Sequence, residues 1–143
     1  MQAQTHRPIP AIGVVCWRDN EVLLIRRGRE PRKGHWSIPG GKVDRFEPME
    51  ATALRELHEE TGIEAELGPL IGVYEIIEHP TEAYPDGFHL VLIDYLAEWQ
   101  SGEPVAGDDA EEAVFVPYAQ ALERLLEPDL KEVLMRAYKL RYT

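Results

Sequence analysis

The chain has 143 residues, 44% of them hydrophobic and 29% charged, and its formal net charge is −11. These values are typical of one globular domain, residues 1–143, that is long enough to bury a core. The negative charge argues against a nucleic-acid partner, because phosphate backbones are bound by clustered Lys and Arg. A single cysteine, Cys16, excludes an internal disulfide and a Cys-based zinc site. With no apolar run of membrane-spanning length and no signal segment, we expect a cytoplasmic protein without a membrane partner.

The first forty residues predict strands. Two apolar, β-rich runs, over 9–17 and 21–25, are separated by a turn at 18–20, and together they predict a β-hairpin. A charged loop over 28–34 follows. Residues 36–38 then predict a short strand that ends at Pro39-Gly40-Gly41, where two glycines permit a close approach of the backbone to a metal or a phosphate.

A basic stretch lies within this otherwise acidic chain. Residues 26–45 contain seven basic and only two acidic side chains. A compact polyanion such as a diphosphate would suit this stretch, and Arg26 and Arg27 are the candidates for binding it. A basic loop that only keeps the protein soluble is an equally good interpretation.

A helix is predicted between Pro48, which suits the first helical position, and Gly62, which suits the left-handed residue after a helix. At 100° per residue, Glu56, Glu59 and Glu60 share one face of this helix. Like charges four residues apart cost about 0.2–0.5 kcal/mol, and anions oppose the dipole at a C-terminal end. A hard divalent cation such as Mg²⁺ would resolve that repulsion, whereas three glutamates alone would also fit a solvated acidic face. The opposite face, expected to pack on the core, consists of Ala51, Leu54, Leu57 and Thr61.

The second half of the chain predicts two long strands, a last short strand and two helices. The strands cover 67–77, interrupted by glycine and proline, and 88–99, with a turn-rich loop over 79–87 between them. An acidic loop over 105–112 precedes the last strand at 113–116, and the helices cover 118–126 and 129–140. Strands followed by helices indicate a mixed sheet with helices on both faces.

The stretch from Gly41 to Ile63 fits the pattern Gly-x5-Glu-x7-Arg-Glu-U-x-Glu-Glu-x-Gly-U, where U is a bulky aliphatic residue. All nine specified positions are filled, by Gly41, Glu47, Arg55, Glu56, Leu57, Glu59, Glu60, Gly62 and Ile63. A chance match at one start point is on the order of 10⁻⁸. This pattern is the Nudix box, and the chain resembles the Nudix hydrolase family. The resemblance implies an α/β fold, the three-layer α/β/α Nudix sandwich with a mixed sheet, and hydrolysis of a phosphoanhydride that depends on Mg²⁺, with Mn²⁺ as a substitute.

The resemblance also implies a set of metal ligands. Glu59 and Glu60 match the principal ligands, and a backbone carbonyl at Gly40 commonly joins them. Glu56 either shares the metal or takes the proton from the attacking water, and the helical geometry leaves both roles open. A further acidic group from a later loop is common in the family, and Asp109 is the first choice here. The other candidates for that role are Asp108, Glu111 and Glu112.

Two more residues of the box are predicted to support the catalytic carboxylates. Arg55 lies beside Glu59 on the helix, so we expect an ion pair that orients the glutamates rather than an ordinary surface pair. Glu47 precedes the helix, where it either reaches the same cluster or only caps the positive end of the helix dipole.

The segments outside the box resemble those of small ADP-ribose pyrophosphatases of the family. On that resemblance Tyr74, Tyr84 and His89 are candidates for contact with a base or ribose, although packing is the commoner role of such residues. ADP-ribose is then the expected substrate, and AMP and ribose 5-phosphate are the expected products. Related hydrolases often dimerise, so a homodimer is one expected oligomeric state. The alternatives are a MutT-like pyrophosphohydrolase acting on oxidised or ordinary nucleoside triphosphates, and a nucleotide-sensing module without catalysis.

Overall fold

The computed structural model describes residues 7–143. Seven strands and three helices lie within that part of the chain. In chain order they are β1 (Ile9–Arg18), β2 (Glu21–Arg27), β3 (Trp36–Ser37), β4 (Gly40–Lys42), α1 (Met49–Thr61), β5 (Glu64–Glu78), β6 (Phe88–Ser101), β7 (Ala110–Pro117), α2 (Tyr118–Arg124) and α3 (Pro128–Arg141). None of the helices in the described range is long and apolar enough to cross a membrane.

All seven strands belong to one mixed sheet. Its main order is β3-β2-β1-β6-β5, with β4 paired to β1 and β7 paired to β2. The β1–β6 pair is parallel and the other pairs are antiparallel, including the predicted β1–β2 hairpin. Within β1, Gly13 lies opposite Asp94 of β6 on one side and opposite Gly40 of β4 on the other. Residue Gly13 therefore links the turn before α1 to the middle of β6.

Helices cover both faces of this sheet, as predicted. Because strand side chains alternate between faces, β1 contributes to two separate cores. Ile12 and Val14 pack with Leu57 of α1 on one face. Val15 packs with residues of α2 and α3 on the other face, among them Leu134. The predicted three-layer α/β/α sandwich with a mixed sheet is confirmed.

The predicted buried face of α1 is partly wrong. Ala51 is exposed and Leu54 is 38% exposed, whereas Glu60 is only 6% exposed. The helix is rotated so that Glu60 turns toward β4, where a backbone amide donates a hydrogen bond to its carboxylate. The side chains that α1 buries are those of Thr52, Ala53, Leu57, Glu60 and Thr61.

Strand β7 is longer than predicted, since it begins at Ala110 rather than at residue 113. Two residues assigned to the acidic loop, Glu111 and Glu112, therefore lie in the sheet. Both form ion pairs with Arg26 of β2, with N–O distances of 3.1 and 2.9 Å. Opposite charges on neighbouring strands stabilise such a pairing, and the local charge of the sequence did not indicate it.

Candidate functional site

The turn before α1 brings glycine backbone against two carboxylates of that helix. The Gly40 amide donates a hydrogen bond of 2.7 Å to Glu60 Oε1. A Cβ atom at Gly41 would overlap the Glu56 carboxyl group and lie 2.6 Å from its Oε1. Gly41 is therefore required because any side chain would displace Glu56. The carbonyl of Gly40, which the family resemblance implies as a metal ligand, remains a proposal.

Arg55 holds three acidic side chains in place. Its Nε and Nη2 donate to Glu47 Oε2 and Oε1 at 2.7 and 3.0 Å, which is a forked contact. Its Nη1 donates to Glu56 Oε1 at 2.8 Å and to Glu59 Oε2 at 3.1 Å. The Arg55 guanidinium, together with the Thr52 hydroxyl, lowers the pKa of Glu47 to about 2. Glu47 thus orients Arg55, and its Oε1 also accepts a hydrogen bond of 2.6 Å from the Thr52 hydroxyl of α1.

Three carboxylates converge beside this arginine. One oxygen each from Glu56, Glu59 and Asp108 lies within 4.8 Å of the others. Burial is the main cause that raises the pKa of Glu56, with further contributions from the charges of Glu59 and Asp108. Burial also raises the pKa of Glu60 to about 8. Buried carboxylates that lie near one another favour protons or a bound cation, because burial and mutual repulsion both disfavour their charged form.

The loop residue that completes this cluster is Asp108, not the predicted first choice Asp109. Asp109 instead forms an ion pair with Arg29. The loop is fixed to the end of α1, because the Gly107 amide donates to the Glu60 carbonyl at 3.0 Å. Asp108 itself has a left-handed backbone conformation, with φ of 50°. The sequence offered several acidic residues in a row, and only this docking distinguishes them.

The cluster opens into a cleft of about 680 Å³. Strands β1, β5 and β6, the loop after β2 and the start of α3 line it. Three of the predicted substrate-binding residues, Arg27, Tyr74 and Tyr84, are part of the wall. The Tyr84 ring packs edge-on against Phe88 with 5.2 Å between ring centroids. The cleft therefore combines an acidic cluster, an arginine and aromatic side chains.

Two predicted substrate-binding residues do not line this cleft. Arg26 is engaged by the acidic residues of β7 described above. His89 Nε2 contacts Glu75 Oε2 at 2.8 Å. His89 is directed away because its neighbours on β6, Phe88 and Leu90, line the cleft and adjacent strand residues point to opposite faces. Neither side chain lines the cleft, and direct contact of Arg26 or His89 with a substrate stays a prediction.

Two cleft residues were missed from the sequence. Asp94 is 3% exposed, and burial raises the pKa of its carboxyl to about 7, with a further contribution from Asp129. Glu127 contacts His35 Nδ1 through Oε1 at 2.7 Å, while its buried Oε2 has no partner among the described residues. A lone aspartate inside the apolar run of β6 was the available signal, since buried carboxylates are rare without a partner or a function.

The family model for the NUDIX domain matches residues 7–137 of this chain. The chain belongs to the Nudix family. It is also similar to the MutT Nudix hydrolase from Burkholderia pseudomallei, with 35% identity, a TM-score of 0.73, and coverage of 91% of this chain and 98% of that one. Relatives and solved structures that match this chain carry the names of hydrolases and pyrophosphatases.

Curated Nudix relatives carry two different substrate names. The ADP-ribose pyrophosphatase of Methanocaldococcus jannaschii is 38% identical over 108 residues, which are 76% of this chain and 61% of that protein. The 8-oxo-(d)GTP phosphatase of Mycolicibacterium smegmatis is 33% identical over 144 residues, covering 92% of this chain and 42% of that protein. The chain thus spans only about half the length of these relatives.

The acidic cluster of this Nudix chain fits a divalent metal ion. Its donors are carboxylate oxygens from Glu56, Glu59 and Asp108, within 4.8 Å of one another. Hard cations such as Mg²⁺ and Mn²⁺ prefer such oxygen ligands, and Mg²⁺ is commonly shared between one or two carboxylates and substrate phosphates. Nudix hydrolases generally use a divalent metal, and the cluster offers suitable residues to hold it.

Proposed function

We propose that this Nudix hydrolase cleaves a phosphoanhydride bond of a nucleoside diphosphate linked to another group, in a reaction that requires Mg²⁺. ADP-ribose is the leading substrate, and its products would be AMP and ribose 5-phosphate. The observation that carries the proposal is the carboxylate cluster of Glu56, Glu59 and Asp108 at the mouth of a 680 Å³ cleft with aromatic walls. The name of the Methanocaldococcus relative supports the choice of substrate.

Each residue of the site has a proposed task. A bound Mg²⁺ would supply charge neutralisation at the diphosphate and lower the pKa of a water molecule. Glu59, Glu60 and Asp108 would hold the ion, with Mn²⁺ as a substitute. Glu56 suits proton transfer, because burial raises its pKa and its Oε2 accepts no hydrogen bond from any described residue. Arg55 keeps Glu56 oriented through its bond to Oε1.

The basic side of the cleft is proposed to receive the phosphates. Arg27 lines the cleft, and its Nε donates to the Pro31 carbonyl at 2.6 Å, which fixes its side chain. Arg32 also lines the wall. A guanidinium group presents several donors in one plane, which suits phosphate oxygens. Tyr84 and Phe88 provide a surface on which a base or ribose can pack.

A MutT-like reaction is the second candidate. The names of the Mycolicibacterium relative and of the Burkholderia protein favour removal of phosphate groups from an oxidised or ordinary nucleoside triphosphate. A third candidate is a nucleotide-sensing module. The filled Nudix box weighs against it, because a sensor has no need for the full set of catalytic carboxylates.

The test is a product analysis with Mg²⁺ or Mn²⁺ and a panel of ADP-ribose, 8-oxo-dGTP and unmodified nucleoside triphosphates. Formation of AMP and ribose 5-phosphate supports the first proposal. Monophosphate with pyrophosphate or phosphate from a triphosphate supports the second. Tight binding without turnover, under either metal, contradicts both and favours the sensor. Glu59→Gln and Glu60→Gln are the matched variants, for which we expect turnover to fall by orders of magnitude with the fold retained.

We also propose a homodimer in a reducing cytosol. The edge strand β5 pairs only with β6 within the described residues, and it exposes apolar side chains at Leu70, Val73 and Ile77. Such an edge is suited to pairing with a second copy. The buried thiol of Cys16 fits a reducing compartment. Light scattering that gives the monomer mass at micromolar concentration would contradict the dimer.

A further inference from the structure

Asp94 has an unusual position for a carboxylate. It lies in the middle of β6, is 3% exposed, and lines the cleft. Within the described range 7–143, only burial and the like charge of Asp129 shift the pKa of Asp94, and no hydrogen-bond donor or opposite charge acts on its carboxylate. Burying a carboxyl group without a partner destabilises a fold. The residue therefore needs an explanation outside the packing of the protein.

The fold makes room for this carboxyl group. Gly13 lies directly opposite Asp94 in the parallel β1–β6 pair. A Cβ atom at Gly13 would overlap Asp94 Oδ1 and lie 2.9 Å from Ile38 Cδ1. The carboxyl group thus occupies the space that a glycine leaves free, beside an apolar side chain. No cation from the described chain fills the remaining side.

Asp94 is also well placed relative to the catalytic cluster. Asp94 lies opposite Gly13, Gly13 lies opposite Gly40, and the Gly40 amide donates to Glu60. Neighbouring strands are about 4.8 Å apart, so two strand spacings place the Asp94 backbone roughly 10 Å from that of Gly40. This separation suits a nucleotide whose phosphates lie at the cluster and whose base lies at Asp94.

We propose that Asp94 is a specificity-determining residue, whose carboxylate accepts a hydrogen bond from an N–H or amino group of the substrate's nucleobase. The inference rests on the proposed function, because it assumes that the cleft binds a nucleotide. A carboxylate can only accept hydrogen bonds, so it favours bases with donors on the bound edge. Asp129, close enough for its charge to act on Asp94, adds to the preference for a donor over an acceptor.

The size of the effect follows from the energy of a hydrogen bond to a charged group. Such bonds contribute roughly tenfold to hundredfold to an equilibrium constant. A base without a donor leaves the carboxylate unpaired in the complex, so the preference should lie in that range. The substrates that name the Methanocaldococcus and Mycolicibacterium relatives both carry an amino-bearing purine, which is consistent with this selection.

The test measures binding of three monophosphates at pH 8 by isothermal titration calorimetry. AMP and GMP carry an amino group, whereas purine riboside 5′-monophosphate has neither an amino group nor a ring N–H. We expect AMP or GMP to bind the unmodified protein at least ~10-fold more tightly than purine riboside monophosphate. In Asp94→Leu, the dissociation constants of the three monophosphates should lie within about twofold of one another. Asp94→Asn, which keeps a carbonyl acceptor, should retain part of the ratio.

The control is Asp19→Asn, which removes an exposed carboxylate at the β1–β2 turn and should leave the ratio unchanged. Equal binding of all three monophosphates by the unmodified protein, a ratio that survives in Asp94→Leu, or no saturable binding of any of them overturns the inference. Because binding is measured without turnover, the result can contradict the role of Asp94 independently of the proposed hydrolase activity. Selective binding without hydrolysis contradicts only the proposed function, whereas hydrolysis without base selection contradicts only the role of Asp94.

Discussion

Replacing Asp94 with leucine should stabilise the protein, and it should do so more at high pH than at low pH. The Asp94 carboxyl is buried among apolar groups, and its pKa is about 7 in the folded protein against an ordinary value of 3.8. When a carboxyl group has a raised pKa in the folded state, the folded protein holds the proton that the unfolded chain loses. The contribution of this group to stability is therefore highest below pH 3.8, falls as the pH rises toward 7, and is constant above it.

The magnitude follows from the same two values. Each pKa unit corresponds to about 1.4 kcal/mol, so the full loss of stability is about 4 kcal/mol. About 3 kcal/mol of this falls between pH 5 and pH 9, because at pH 5 part of the loss has already occurred. Leucine does not titrate, so the variant does not lose this stability. Its free energy of unfolding relative to that of the unmodified protein should therefore be about 3 kcal/mol larger at pH 9 than at pH 5. Other titrating groups affect both proteins equally and cancel in the difference.

The assay is urea unfolding of both proteins at pH 5, 7 and 9, without metal or nucleotide. Asp94→Asn is the second variant, because it also removes the titrating group and nearly preserves the shape. We expect the stability difference to grow with pH for both variants. A difference that is the same at pH 5 and pH 9 would show that Asp94 is ionised in the folded protein at both, and would refute the reasoning.

Three further substitutions test how the site is held together. Gly41→Ala places a methyl group on the Glu56 carboxyl, and we expect kcat to fall about 100-fold with little change in melting temperature. Asp108→Asn should weaken activation by Mg²⁺ roughly 10-fold or more, whereas Asp109→Asn should not; equal effects would contradict the assignment of the loop residue. Arg55→Lys loses the planar fork and should lower kcat/KM by about 10–100-fold, so a near-normal value would show that orientation by this residue is unimportant.

The Nudix box could be identified from the sequence because its chemistry is local. Its glutamates, its arginine and its glycines lie within one turn and one helix, so spacing alone indicates which residues belong together. The sheet and its two helical layers were also predictable, from apolar runs and periodicity. The rotation of α1 was not, because it depends on the bond between the Gly40 amide and Glu60, which joins two elements.

Residues outside the box depend on contacts between distant parts of the chain. Asp108 is selected over Asp109 by the docking of its loop on the end of α1. Asp94 becomes notable only when β1 and β6 pair and Gly13 lies opposite it. The orientation of His89 could have been anticipated, since Phe88 and His89 are neighbours on one strand and cannot both face the cleft. Sequence periodicity limits such choices, but it does not show which face carries the site.

The most direct test of the central claim is a titration with Mn²⁺ followed by electron paramagnetic resonance, on the unmodified protein and on Glu59→Gln, Asp108→Asn and the double variant. If the carboxylate cluster holds the metal that activates the substrate, each single variant should bind Mn²⁺ at least ~10-fold more weakly and the double variant more weakly still. Circular dichroism should be the same for all four proteins. Unchanged affinity and stoichiometry in the double variant would contradict the account, because the metal would then bind elsewhere.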